Sequence, residues 1–148
     1  MNSIMITPMS EKYIIVVSEI ETECFTSPWS YDAFLSELSN PYAYYFVAEQ
    51  DGVVVGFAGI HIIYDEGYIT NIAVTQNHRR QGIAEDLLNA LEKQATEKGS
   101  KLLTLEVRET NFGAIKLYEK LCYKQVGMRK EFYILPTENA ILMTKHIK

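Results

Sequence analysis

The chain has 148 residues, 47% of them hydrophobic, which at this length is enough to build one buried core without disulfide or metal supports. Two cysteines without C-x-x-C spacing exclude a disulfide scaffold, a zinc knuckle and a redox motif, and they indicate a reduced, cytoplasmic protein. A net charge of −5, from 19 acidic residues against 14 Lys and Arg, disfavours direct nucleic-acid binding and suits either a cationic partner or simply an acidic surface that keeps the protein in solution.

The chain shows no sign of division or of membrane targeting. Its start has neither the basic nor the sustained apolar region of a signal peptide, and no later stretch approaches the roughly 20 apolar residues of a membrane span. No repeat, low-complexity tract or Gly/Ser linker interrupts it. We therefore expect one domain over residues 1–148, with no membrane association.

Two helices are predicted first. Ser10 can cap a helix that runs to Cys24, because apolar residues recur on one face at Ile14, Val17, Ile20 and Cys24. A Pro-containing segment, residues 25–29, ends this helix. Ser30 can cap a second, short helix that carries Phe34, Leu35 and Leu38.

Three strands follow the helices. Residues 44–49 and 53–63 are rich in β-branched and aromatic side chains, and Asp51-Gly52 between them is a strong hairpin signal. A turn at Asp65-Glu66-Gly67 is predicted before the third strand, residues 68–74.

Helices and strands alternate in the rest of the chain. A helix from Gly82 to Lys98 is indicated by an apolar face, with Gly99 as its terminator; that face comprises Ile83, Leu87, Leu88, Leu91 and Ala95. A strand over 101–108, a helix over 111–121 and strands over 131–135 and 140–144 follow. This order predicts an α/β fold of the α+β sandwich type, a mixed sheet with helices on both faces.

The loop before the long helix is a candidate phosphate site. Residues 79–82 are basic, contain Gly82 and open directly onto a helix, whose first N–H groups lack intrahelical partners and attract anions. Neither a P-loop nor a dinucleotide-binding motif is present. Basic residues and a glycine before a helix also occur in ordinary loops, so both interpretations stay open.

Two side chains in the second half are candidates for proton transfer. Alternation places Glu106 on the strand face opposite Leu103, Leu105 and Val107, which indicates either a polar cleft or an exposed edge strand. Tyr118 has helical spacing to Ile115 and Leu121, so it is either a core residue or a catalytic hydroxyl.

Metal ligation and cysteine catalysis have little support. The three histidines, His61, His78 and His146, have no ligand spacing, and we expect no metal. Cys24 and Cys122 are expected to be small buried residues rather than nucleophiles.

Several segments together resemble the acetyl-CoA-binding core of the GNAT superfamily and, more specifically, the bacterial ribosomal-protein-alanine N-acetyltransferases. The similarity spans the chain from Ser10 to Thr144. It is carried by Phe25-Thr26-Ser27-Pro28-Trp29-Ser30, Asn71-Ile72-Ala73-Val74, Arg79-Arg80-Gln81-Gly82-Ile83-Ala84, Leu105-Glu106-Val107-Arg108, Ala114 to Tyr118 and Gly127-Met128-Arg129-Lys130-Glu131-Phe132-Tyr133.

The resemblance implies a GNAT-like, mostly antiparallel sheet and a site for acetyl-CoA. Residues 68–74 become the fourth strand, with a bulge and a splayed neighbour, if a short strand near residues 5–7 precedes the first helix. The implied cofactor contacts are Ile72, Ala73 and Val74, the loop and helix start of Arg79, Arg80, Gln81, Gly82, Ile83, Ala84 and Glu85, and Asn111.

The resemblance also assigns roles in catalysis. Glu106 becomes the proton acceptor and Tyr118 the proton donor or a hydrogen-bond donor to the leaving sulfur. Pro28, Trp29 and Tyr133 flank the acceptor cleft, where loop packing is an equally good explanation for them. The implied acceptor is the N-terminal amine of a protein, an alanine of a basic small-subunit ribosomal protein. A polyamine or other free amine, or a non-catalytic acetyl-CoA-binding module, are the alternatives.

Two positions depart from the family pattern. Ala84 stands where glycine is common, and Leu121-Cys122-Tyr123 replaces Leu-Gly-Phe after the last helix. The second departure concerns the geometry of the helix end rather than the catalytic pair.

Overall fold

A seven-stranded sheet forms the centre of the fold, in the order β1-β2-β3-β4-β5-β7-β6. The computed structural model describes residues 3–147, so Met1, Asn2 and Lys148 of the predicted domain 1–148 lie outside the described residues. The strands are β1 (Ile4–Pro8), β2 (Ala43–Gln50), β3 (Val53–Ile63), β4 (Glu66–Val74), β5 (Leu102–Arg108), β6 (Lys124–Tyr133) and β7 (Glu138–His146). The helices are α1 (Ile14–Cys24), α2 (Tyr31–Leu38), α3 (Ile83–Glu97) and α4 (Phe112–Lys120).

The sheet is mixed and mostly antiparallel, as expected. Within residues 3–147 only the β4–β5 pair is parallel; the other neighbours are antiparallel. The short first strand implied by the resemblance is present as β1, so residues 66–74 form the fourth strand.

The β2–β3 hairpin follows from its turn residues. Asp51 and Gly52 both have positive φ, 53° and 81°, the conformation of the tight turn that matches strand twist. The next turn was predicted too late in the chain, because β4 begins at Glu66 and the positive φ of 55° falls on Tyr64. Gly67 lies inside the strand, where a Cβ would come within 2.8 Å of the Ile60 and Leu103 side chains. Close packing, rather than a turn, therefore explains this glycine.

The helix starts were predicted with mixed success. Ser30 caps α2, since its hydroxyl oxygen accepts a hydrogen bond from the Ala33 N–H at 3.1 Å. The predicted Ser10 cap is wrong, because the first helix begins as a 3-10 turn over Glu11–Tyr13 and the Ser10 side chain makes no capping bond. The carbonyl of Ser10 instead accepts from the Tyr13 N–H at 3.0 Å.

Helices cover both faces of the sheet, as predicted. The apolar face of α3 packs against β2, β3 and β4, and all five of its predicted apolar residues are buried: Ile83, Leu87, Leu88, Leu91 and Ala95. On the opposite face α1 contacts β3 and β4, and α2 packs beside α1. That second core contains Ile14, Val17, Ile20 and Phe34.

The C-terminal strands differ from their predicted bounds: β7 is longer at both ends, whereas β6 begins earlier than predicted and ends at Tyr133, before the predicted end at 135. β6 begins at Lys124, and all of its residues before Tyr133 are exposed, so it has no apolar alternation from which its start could be predicted. Cys122, expected to be buried, is exposed because it lies in the turn that leaves α4. No helix among residues 3–147 is long and apolar enough to cross a membrane.

Candidate active site

A cleft opens where β4 and β5 separate. The two strands pair only between Glu66–Tyr68 and Leu102–Thr104, although both continue for several residues. Thr70 is an extra residue in β4, because Gly59 faces Asn71 while Ile60 faces Ile69. The sequence resemblance implied both the splay and this bulge. The resulting cleft has a volume of about 530 Å³ and is lined by both strands, the loop after α1, α4 and residues 132–134.

Glu106 lies in the wall of this cleft. Its side chain is only 6% exposed, and Arg129 Nε donates to its Oε2 at 2.6 Å. The Tyr68 hydroxyl donates to its Oε1. The edge-strand interpretation is wrong, since β5 lies between β4 and β7. The carboxylate is thus held by two donors at the point where the strands diverge, with the cleft in front of it.

Tyr118 borders the same cleft and is also part of the core. It is 5% exposed, and its ring lies 5.8 Å from that of Tyr123, measured between centroids. Burial raises the pKa of Tyr118 above its usual value, so the phenol stays protonated at neutral pH. This favours a hydroxyl that donates a hydrogen bond over one that gives up its proton readily.

The start of α3 presents free backbone donors. Gly82 has φ 80° in the left-handed region, and Arg80 before it has φ 63°. The first N–H that bonds back along the helix is that of Asp86, to the Gly82 carbonyl at 3.0 Å. The N–H groups of residues 83–85 precede this first bond, which is the arrangement that attracts a phosphate. A Cβ on Gly82 would meet nothing within 4 Å, so the approach to this helix end is open.

Several side chains of this loop are already engaged elsewhere. Arg79 Nε donates to the Val74 carbonyl at 3.1 Å, and Gln81 Oε1 accepts from Gln50 Nε2 at 3.2 Å. Glu85 forms an ion pair with Lys120 at 3.0 Å. These contacts leave the main-chain N–H groups and Arg80, which is exposed, as the groups of this loop that could recognise an anion.

Asn111 both lines the cleft and caps a helix. Its Oδ1 accepts from the Ala114 N–H at 3.2 Å and so caps α4. The helix that carries Tyr118 therefore begins at a residue that also faces the cleft.

Two of the three residues assigned to the acceptor side line the cleft, and the third does not. Trp29 lines the cleft and packs on Phe34, with 5.4 Å between ring centroids. Tyr133 also lines the cleft, and the Arg108 guanidinium lies over its ring, 4.5 Å from the ring centroid. Burial raises the pKa of Tyr133 to about 12. Pro28 is exposed and does not line the cleft, because the loop turns it outward.

Sequence reasoning missed four residues of the site. Tyr68 and Arg129 hold Glu106 from strands remote in sequence, and Arg108 bonds to the 134–138 segment. Glu21, 3% exposed, also lines the cleft. The sequence did contain a signal that Glu21 is buried, because position 21 has helical spacing to Val17 and Cys24 on the apolar face of α1.

Metal ligands and thiols contribute little here. No group of three or more His, Cys, Asp or Glu that could hold a metal occurs among the described residues. Cys24 is partly buried, and its thiol donates to the Val74 carbonyl at 3.6 Å. Burial raises the pKa of Cys24, which argues against a reactive thiolate.

Comparisons with known proteins agree with this geometry. The model of the "Acetyltransferase (GNAT) family" matches residues 14–122. A Bacillus subtilis (strain 168) relative is 43% identical over 128 residues, covering 86% of this chain and 85% of its own. The ribosomal protein bS18-alanine N-acetyltransferase of Haemophilus ducreyi is 34% identical over 146 residues, covering 97% of this chain and 100% of its own. The crystal structure of the Escherichia coli ribosomal-protein-S18-alanine N-acetyltransferase superposes with a TM-score of 0.90 at 31% identity, covering 100% of this chain and 95% of that one.

Proposed function

The chain belongs to the acetyltransferase (GNAT) family, and on that premise we propose that it transfers the acetyl group of acetyl-CoA to the N-terminal alanine of ribosomal protein bS18. The observation that carries the proposal is the position of Glu106, a nearly buried carboxylate facing the cleft where β4 and β5 part. The names of the relatives supply the acceptor. A net charge of −5 suits a basic ribosomal protein as partner.

The residues around the cleft and those at the start of α3 suit acetyl-CoA. The free N–H groups of residues 83–85 suit a pyrophosphate, and the loop of residues 79–82 leads into them. Beyond Tyr68, β4 is no longer paired with β5, so the β5-facing edge of β4 along Ile72, Ala73 and Val74 could take an extended pantetheine arm. The Val74 carbonyl is the exception, because Arg79 Nε already donates to it. Acetyl-CoA held at this edge would supply the thioester carbonyl that the acceptor amine attacks. Asn111 would contact the cofactor from the start of α4.

Glu106 acts on the proton of the attacking amine, and Tyr118 acts on the leaving sulfur. The acceptor nitrogen forms a bond to the acetyl carbon, the carbon–sulfur bond breaks, and the proton of the amine passes to Glu106 directly or through one water. Tyr118 donates a hydrogen bond to the departing sulfur, a role that suits its raised pKa. A backbone N–H beside the bulge stabilises the developing oxyanion.

The acceptor amine sets how strong a base is needed. An α-amine with a pKa of about 8 is about one tenth neutral at pH 7, whereas a lysine with a pKa of about 10.4 is neutral about once in 2500. The difference corresponds to about 3.5 kcal/mol, so an N-terminal acceptor demands much less of Glu106 than a lysine would.

Steady-state assays test the function directly. An Ala-starting peptide with the bS18 N-terminal sequence is compared with spermidine as acceptor, and we expect a clear preference for the peptide. A preference for spermidine would reject the ribosomal assignment, and binding of acetyl-CoA without turnover of any amine would favour a non-catalytic module.

Glu106→Gln tests the assignment of the base. We expect kcat to fall about 10²–10⁴-fold while the Kd for acetyl-CoA stays within about twofold, because Glu106 acts on the amine rather than on the pyrophosphate. Glu119→Gln, on the exposed face of α4, is the matched control and should keep wild-type kcat. Unchanged turnover of Glu106→Gln would place the base elsewhere.

A further inference from the structure

The bulge in β4 is packed against one aromatic ring of β2. Tyr45 is 6% exposed, and its ring lies directly across Gly59, the residue opposite Asn71 at the register shift. A Cβ on Gly59 would fall 2.1 Å from Tyr45 Cε2, closer than any two such atoms can approach. Only glycine therefore lets the ring occupy this place without a shift of backbone or ring.

The hydroxyl of Tyr45 is bonded to the bulge itself. It lies 2.9 Å from Thr70 Oγ1 and donates to Asn71 Oδ1 at 3.0 Å. Thr70 is the extra residue of β4, so its backbone lacks a paired position on β3. Burial raises the pKa of Tyr45, and the hydroxyl stays protonated and able to donate.

The same chain of hydrogen bonds continues to the acceptor side of the cleft. Asn71 Nδ2 donates to Glu21 Oε1 at 3.4 Å, and Glu21 Oε2 accepts from the Trp29 N–H at 3.0 Å. Asn71 and Glu21 are 6% and 3% exposed, so water competes little for these bonds. The bulge and the loop that carries Trp29 are thereby joined through four side chains.

We propose that Tyr45 is a positioning residue, which fixes the Thr70–Asn71 bulge and, through Asn71 and Glu21, the Trp29 loop relative to it. The inference rests on the proposed acetyl transfer, since the bulge lies beside the thioester and Trp29 beside the acceptor. Reacting groups held about 1 Å from their productive positions lose up to about 10²-fold in rate. The hydroxyl of Tyr45 thus governs how the two substrates meet, although it touches neither.

Tyr45→Phe isolates this role, because the ring over Gly59 is kept and only the hydroxyl is removed. Tyr44→Phe is the matched control: Tyr44 is the preceding residue of β2, faces the other side of the sheet and packs beneath the Lys98 ammonium. We expect kcat/KM for the Ala-starting peptide to fall about tenfold in Tyr45→Phe, with KM for acetyl-CoA within about twofold. Tyr44→Phe should match the wild type.

Hydrogen exchange gives a readout that does not depend on the acceptor. In the protein without substrates, amides of residues 66–74 should exchange faster in Tyr45→Phe than in Tyr44→Phe, with the difference centred on Thr70 and Asn71. Equal exchange in the two variants, equal kinetics, or a parallel rise of both KM values would overturn the positioning role. If the wild type fails to acetylate the peptide but the exchange difference appears, the proposed acceptor is wrong and the role of Tyr45 in holding the bulge stands.

Discussion

Replacing Cys122 by glycine should stabilise the protein. Cys122 follows α4 with φ 76°, in the left-handed region that side chains with a Cβ avoid. Its N–H donates to the Glu119 carbonyl at 3.0 Å, and the Tyr123 N–H donates to the Tyr118 carbonyl at 2.9 Å. These two bonds and the contact between the Tyr118 and Tyr123 rings form the helix ending in which glycine is the favoured residue. The sequence departure from Leu-Gly-Phe therefore keeps the helix-end geometry and carries backbone strain.

The size of the gain follows from two opposing effects. A non-glycine residue in this conformation costs roughly 1–2 kcal/mol. Glycine loses about 0.4–1 kcal/mol more than a residue with a Cβ through the entropy of the unfolded chain. Cys122 is exposed, so its loss removes little packing. We expect a net gain of about 0.5–1 kcal/mol in the free energy of unfolding, or a rise in Tm of about 1–4 °C.

Urea denaturation and thermal melting under reducing conditions measure this gain. Cys122→Ala is the control for the thiol, because it keeps the Cβ and the strained φ and should match the wild type. Gly99→Ala tests the reverse change at the equivalent position after α3, where φ is 86° and a new Cβ meets nothing within 4 Å. We expect it to lose stability by a similar amount. A Cys122→Gly protein no more stable than Cys122→Ala would refute the strain argument.

Further predictions concern the cleft. Arg108→Met removes a guanidinium that donates to the Pro136 carbonyl at 2.9 Å and to Glu138 at 3.1 Å. Because these bonds position the segment beside the acceptor cleft, steady-state kinetics should show a roughly tenfold higher KM for the acceptor. The KM for acetyl-CoA should be unchanged. Tyr118→Phe should lower kcat about 10–100-fold. The wild-type rate should show no inflection at the ordinary tyrosine pKa of about 10, because burial raises the pKa of Tyr118. Burial also raises the pKa of Glu21 from 4.5, so the folded protein binds this proton more tightly than the unfolded chain and is destabilised as pH rises through the raised pKa. Urea titrations should therefore show Glu21→Gln gaining stability relative to the wild type as the pH rises above 4.5.

Local patterns in the sequence predicted most of the fold. Helix stripes and the Asp51-Gly52 hairpin are short-range signals, and the structure confirms the elements they indicated. β6 was placed too late because an exposed edge strand has no apolar face to mark it. The Gly67 turn was misplaced because a glycine required by packing has the same appearance in sequence as a glycine required by a turn.

The site was predictable only in part, because its geometry depends on pairing between distant segments. Helix and strand periodicity singled out Glu106 and Tyr118, and both line the cleft. Tyr68 and Arg129, which hold Glu106, are 38 and 23 residues away from it in sequence, so no local pattern links them. The catalytic roles of Glu106 and Tyr118, like the cofactor contacts, stay predictions until the variants are measured.

Main-chain irregularities leave backbone groups of this fold open to a ligand. At Thr70 an extra residue interrupts the β3–β4 register, and beyond Tyr68 the β4 backbone is no longer paired with β5. At Gly82 a left-handed residue begins α3 without a side-chain cap. Backbone polar groups that the fold leaves unpaired must be satisfied by water or by a ligand. An extended, diphosphate-bearing molecule would satisfy both sets at once. If main-chain N–H groups bind it, as we propose, Ala84 can replace glycine without loss of these contacts.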